Sequence, residues 1–191
     1  EVGLFGFVDN AVIEKLSMVN VETRGKDYVG GLAGRSTRTK ISDVFVKGSV
    51  KGNINVGGLS GHISLLGSLT SGSYFIGTVE GYELVGGLFG YSHNKIEKCY
   101  TSALVIGSRR VGGLVGEQAL NIENAYAVGD VIGDALNPWN LWAVGGLIGR
   151  LHSDTGFNPK ITNAYSVGTV NGISQVDVIL GASIHAEPVD E

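Results

Sequence analysis

His is the commonest metal ligand and the usual general base near neutral pH, so the four histidines are the first residues to test. They are followed by Ile63, Asn94, Ser153 and Ala186. No H-E-x-x-H zinc-peptidase motif is therefore present. His62, His93 and His152 trail a glycine-rich hexapeptide by 1, 3 and 3 residues, which predicts three solvated histidines at one corner of a repeating structure. His93 and His152 would stand two repeats apart, about 10 Å at strand spacing. A zinc needs its nitrogens about 2.0–2.1 Å away, so no metal is expected. The run His152-Ser153-Asp154 holds hydrolase residue types, but neighbours on one loop cannot build a relay that requires separate elements to converge. Glu97 and Glu123 sit beside Ile96 and Ile122 in successive repeats. On neighbouring strands they would be about 5 Å apart, the separation of a retaining-glycosidase pair. The plainer expectation is two outward carboxylates beside Lys98. Cys99 is the single cysteine, which excludes an intrachain disulfide. It reads as a small core residue. No catalytic residue and no cofactor is expected.

One segment stands apart. "DALNPWNLWA", residues 134–143, holds both tryptophans of the chain. A loop this apolar should not sit free in water. It either covers the side of the fold or presents indole faces to a sugar ring or a partner pocket. Trp139, Trp142, Leu141 and Pro138 are the candidate binding residues.

The elements that must position these groups are written five times. "VGGLAG" at 29 returns as "VGGLSG" at 56, "VGGLFG" at 85, "VGGLVG" at 111 and "VGGLIG" at 144, at intervals of 27, 29, 26 and 33. "EVGLFG" at 1 and "DVILGA" at 177 are degraded copies. A second motif, I-x-[ND]-x-[FY]-x-x-G-x-V-x-G, occupies the other half of each unit: "ISDVFVKGSVKG" at 41, "IEKCYTSALVIG" at 96, "IENAYAVGDVIG" at 122 and "ITNAYSVGTVNG" at 161. Its alternation has period two, the mark of a strand. A fixed period near 28 denotes stacked units. Equivalent strands of successive units can pair only in parallel. The prediction is an all-β, right-handed parallel β-helix (β-solenoid) of about seven rungs with three short strands per rung. The handedness follows the usual crossover preference.

Stacking assigns each residue a column. The five Val and five Leu residues of the hexapeptides should point inward, and so should the Ile and aromatic columns. The repeat glycines are expected at tight bends and positive φ, where a Cβ would strike the next rung. These structural residues are Gly30, Gly31, Leu32 and Gly34; Gly57, Gly58, Leu59 and Gly61; Gly86, Gly87, Leu88 and Gly90; Gly112, Gly113, Leu114 and Gly116; and Gly145, Gly146, Leu147 and Gly149. Asp43, Asn124 and Asn163 form a partial polar ladder, which Lys15 and Lys98 interrupt. Residues 1–182 read as the solenoid, with a divergent first rung and a dissolving last one as approximate start and stop. Residues 183–191 read as an acidic exit or cap.

The chain of 191 residues has 31 Gly, 3 Pro, 43% hydrophobic residues and a net charge of −4. So much Gly with so little Pro indicates regular tight turns rather than a flexible linker. Without a basic stripe, nucleic acid is not an expected partner. No apolar run approaches ~18 residues, so no membrane insertion is expected.

The G-G-L-x-G hexapeptides followed by I-x-N-x-Y and G-x-V-x-G resemble GLUG-motif repeats, and the resemblance covers nearly the whole chain. It implies a bacterial secreted or surface-attached parent, such as an adhesin-like protein or the non-catalytic region of an immunoglobulin A1-cleaving metallopeptidase. It implies no catalytic residue, because the repeat carries none. The function expected is a non-catalytic extracellular module, a rigid spacer with a possible protein- or glycan-binding surface. The alternatives are a substrate-positioning region of such a peptidase and a polysaccharide-active β-helix. Partners expected are the flanking domains of the parent chain and a host protein or glycan.

Overall fold

The computed structural model describes residues 1–64, 67–133, 143–152, 158–172, 176–177 and 180–183. Every regular element among them is a strand, so none is a helix long and apolar enough to cross a membrane. All strand pairs are parallel and join equivalent positions of successive repeats, which makes the fold a β-solenoid. Three sheets run its length. A six-stranded sheet holds the Val of each hexapeptide, with Val29, Val56, Val85, Val111, Val144 and Val176 in one register. A seven-stranded sheet begins after each Leu. The third sheet counts twelve strands because most turns give it two pieces, such as Lys40–Ser42 and Phe45–Lys51.

Five turns are complete, over 27–51, 54–80, 83–107, 109–133 and 144–171, with a partial turn at each end over 5–24 and 176–183. The seven expected rungs are these five turns and two partial ones. The first degraded hexapeptide departs from its expected register by one residue at its start, and the last does so throughout. Val2, not Glu1, bridges Val29, and Phe5 pairs with Ala33. The first copy is thus V-G-L-F-G, one residue short, and Leu4 stands exposed. At the other end Val176 pairs with Val144 and Leu180 with Ile148, so the last copy is "VDVILG" from 176.

The core lies along the axis. The Leu column, Leu32, Leu59, Leu88, Leu114 and Leu147, has no solvent exposure, and its backbone N–H groups donate from each turn to the next at 2.8–3.0 Å. Truncating one such leucine costs about 2–5 kcal/mol. Cys99 belongs to this core and is buried; burial pushes its thiol up to about 12, so it is not a nucleophile at neutral pH.

The hexapeptide glycines do not have the predicted positive φ. They are required by close approach. A Cβ on Gly30 would lie 2.2 Å from the Ala33 carbonyl oxygen and 2.6 Å from that of Leu59. Positive φ falls instead on glycines of the second motif, such as Gly77, Gly129 and Gly168 with φ of 122–146°, and on two columns held almost wholly by non-glycine residues. Tyr28, Asn55, Leu84 and Arg110 have φ of 52–57° and immediately precede the Val column. Lys15, Asp43, Gly72, Lys98, Asn124 and Asn163 form a second such column with φ of 49–57°. Lys15 and Lys98 share this backbone conformation without carrying the Asp or Asn side chain of the ladder. Stacking pays the ~1–2 kcal/mol that a Cβ residue loses in that conformation.

Candidate functional site

The second left-handed column decides what the outer surface carries. A strand alternates its side chains, but one residue in the left-handed region shifts the alternation by one. Ile41 points inward and Asp43 turns the chain; Val44 and Val46 are then buried, while Phe45 faces out. The aromatic column is consequently not in the core, as alternation alone predicts. Phe45, Tyr74, Tyr100, Tyr126 and Tyr165 stack face to face on the outside of the long sheet. Ring centroids are 4.5, 4.5, 4.9 and 5.1 Å apart, and the planes tilt by 24, 8, 6 and 3°. Partial burial between Tyr74 and Tyr126 raises the pKa of the Tyr100 phenol. Beside the ladder runs a second outward column: Lys47, Ile76, Ser102, Val128 and Val167. Tyr165 is 51% exposed and Val167 54%, so the ladder is apolar and open at its last turn.

A second ladder climbs the seven-stranded sheet. Register places Phe7, Arg35, His62, Tyr91, Glu117 and Arg150 in one outward column. The Arg35 guanidinium lies 5.9 Å from the Phe7 ring and 5.8 Å from that of Tyr28, a cation–π arrangement. His62 stacks on Tyr91 at 4.7 Å. Higher up, the column becomes ionic. Glu117, only 5% exposed, meets Arg110 at 3.2 Å, Arg150 at 3.5 Å and His152 Nδ1 at 3.2 Å. Arg110 also reaches Glu83 at 3.1 Å, and Glu83 reaches Arg109 at 2.9 Å. Three successive turns are thus laced by one charge network.

These contacts correct the expectation of three solvated corner histidines. His62 lies within the strand Ser60–Ser64, partly buried under Tyr91. Burial first, then Arg35 and His93, lowers its pKa to about 4. His152 is buried beside Glu117. Only His93 and His152 share a corner column, one residue past the register Ser92–Gln118–Leu151. Among the described residues no three His, Cys, Asp or Glu side chains form a metal-sized group. Glu97 and Glu123 are register partners, as expected from the repeat. Lys95 Nζ lies 3.1 Å from Glu123 and 3.9 Å from Glu97, with Lys98 3.7 Å from Glu97. The pair is a neutralised cross-turn ion cluster rather than an acid and a nucleophile. Trp139, Trp142, Leu141 and Pro138 lie outside the described residues, as do Ser153 and Asp154.

The outer ladders escaped alternation reasoning, yet the sequence held their signal. Asp43, Asn124 and Asn163 are residues that tolerate left-handed φ, and each precedes an aromatic by two.

Residues 107–132, which run from the end of one turn through the next, match the family described as "The GLUG motif". This solenoid is a GLUG-repeat domain. It is 33% identical over 190 residues to an immunoglobulin A1 protease of Streptococcus pneumoniae, covering 88% of this chain and 9% of that protein. A second Streptococcus pneumoniae protein of the same name is 30% identical over 197 residues, 95% of this chain and 9% of that protein. The immunoglobulin A1 protease of Streptococcus sanguinis is 32% identical over 145 residues, 67% of this chain and 8% of that protein. The GLUG-repeat domain therefore spans under a tenth of the length of these relatives. No solved structure matches it.

Proposed function

We propose that this GLUG-repeat domain is a non-catalytic module of a larger bacterial protein that is secreted or surface-attached. It serves as a rigid spacer and presents a surface for protein or glycan. The observation that carries the reading is the unbroken inter-turn register. Five complete turns pair with their neighbours in all three sheets, and an array held by backbone ladders at every turn resists bending. An extracellular setting is supported by the relatives' name, since immunoglobulin A1 is an extracellular protein. The same name supports a second reading, in which the domain positions substrate for a peptidase centre elsewhere in the parent chain. The Trp139/Trp142 segment and the outer ladders are the surfaces offered to a partner; flanking domains of the parent are the remaining partners.

Tryptophan emission tests the binding half, because Trp139 and Trp142 are the only indoles. The protein is titrated with immunoglobulin A1 and with a panel of glycans. A saturable spectral shift, lost in Trp139→Ala/Trp142→Ala while the circular dichroism persists, is expected. Emission that no ligand moves would reduce the domain to a spacer.

A further inference from the structure

The outer face of the third sheet differs from the charged outer face of the seven-stranded one. Along its strands every second side chain enters the core, as Phe75, Val79, Val105 and Val131 do. The residues between them face outward, and in the middle of the stack they are apolar. Ile76, Leu104, Ile106, Val128 and Ile132 stand there beside the tyrosine ladder. Val128 is 37% exposed although its turn, 109–133, has a complete turn on either side. Charges on these five turns are few among the described residues: Lys47, the Lys51–Glu80 ion pair, and Asp130, which accepts the Thr169 N–H at 2.8 Å. A continuous apolar surface of this kind marks a contact site.

Three observations select what it contacts. Each interior tyrosine ring is covered on both faces by its neighbours at 4.5–5.1 Å, which leaves no ring face for a sugar to stack on. The strand Tyr74–Glu80 pairs with a strand on both sides, so no peptide strand can add to the middle of the sheet. What remains is a flat face whose columns repeat at the strand spacing, and another sheet stack has the same repeat and packs against it side chain by side chain. Strands of 7 and 8 residues over five turns make a face of about 23 by 24 Å, about 550 Å². Two copies together cover about 1,100 Å², just above the ~1,000 Å² that a specific contact needs. Lys47 and Lys51 both belong to the first complete turn. Pairing with the long axes parallel would oppose them to their own copies, at a cost; pairing with the axes antiparallel sets them against the last turn. We propose that two copies of this domain associate through this face, sheet on sheet, with their long axes antiparallel. The proposal deepens the reading of the outer ladders as a surface offered to a partner and rests on it.

Sedimentation velocity of the protein from micromolar to millimolar concentration tests it. A reversible rise in mass towards that of a dimer is expected. Val128→Lys should move that rise to a concentration at least about 100-fold higher, because it opposes like charges across the contact, and should keep the circular dichroism and unfolding temperature. Phe7→Lys, on the seven-stranded sheet, should leave the rise in place. With a thiol–thiol cross-linker of about 10 Å, the spacing of packed sheets, Ser102→Cys on the middle turn should join two copies and Lys47→Cys should not. Cys99 is buried and does not compete. A monomer at every concentration would overturn the proposal and leave the spacer reading and the tryptophan test standing. A dimer that Val128→Lys leaves intact would overturn it as well, because the contact would then lie elsewhere. A monomer that binds immunoglobulin A1 or a glycan and loses it in Val128→Lys would overturn it in favour of another class of partner. Cross-linking through Lys47→Cys in preference to Ser102→Cys would overturn the antiparallel arrangement.

Discussion

Gly58→Ala probes why the hexapeptide recurs. An added Cβ would lie 2.2 Å from the Gly87 carbonyl oxygen and 2.3 and 2.5 Å from two ring carbons of Phe75. Phe75 is fully buried and cannot swing aside. The Gly58 N–H donates to that same Gly87 oxygen at 3.1 Å, so relieving the clash stretches an inter-turn hydrogen bond. Overpacking costs about 1–3 kcal/mol and the weakened bond about 1 kcal/mol. The lower unfolded-state entropy of Ala returns about 0.4–1 kcal/mol. The net loss is about 1–3.5 kcal/mol, or about 2–14 °C in unfolding temperature for a chain of this size. Gly6→Ala is the control, since its Cβ would meet nothing closer than the Glu1 oxygen at 3.7 Å. It should leave stability unchanged or raise it by up to about 1 kcal/mol. Thermal and urea unfolding followed by far-ultraviolet circular dichroism measure both. Equal unfolding temperatures for the two variants would refute close approach as the reason for the hexapeptide glycines.

Three further outcomes are expected. Lys98→Asn should raise the unfolding temperature slightly, because Asn suits the left-handed backbone at φ 53° and can extend the amide contact of Asn163 with Asn124 at 3.1 Å; Lys98→Val should lower stability by about 1–2 kcal/mol, and the reverse order would sink this account of the column. Glu117→Gln should cost about 2 kcal/mol in urea unfolding, since it leaves Arg110, Arg150 and His152 facing a neutral amide in a partly buried network; the cost should shrink when Arg150 is also neutralised. His62 should titrate near pH 4 in the folded protein, read by NMR of its imidazole. The unfolded chain binds that proton near 6.5, so between these values it holds more protons than the folded one. The His62 contribution to stability should therefore fall as pH drops from about 6.5 towards 4 and level off below. His62→Gln should flatten that slope, and a folded-state midpoint near 6.5 would contradict the burial.

The repeat by itself determined that the chain is a parallel stack. Val29 and its copies had to align, because only identical rungs let each inward side chain meet its own kind. The buried Leu column and Cys99 were legible for the same reason: period and apolarity are properties of the string. Three features needed the third dimension. The facing of the aromatic column depends on one backbone angle at Asp43, Asn124 and their equivalents, and a left-handed residue reverses every side chain beyond it. The true starts of the first and last copies, Val2 and Val176, were fixed by which residues pair across turns. The chemistry of the charged residues was decided by neighbours a whole turn away. Glu117 and Arg150 are 33 residues apart in the chain yet are register partners, and Glu97 and Glu123 share Lys95 rather than a substrate. Sequence spacing sets the rung on which a residue sits; the backbone geometry of the turn sets the face on which it emerges, and that face determines whether it serves the core or the surface.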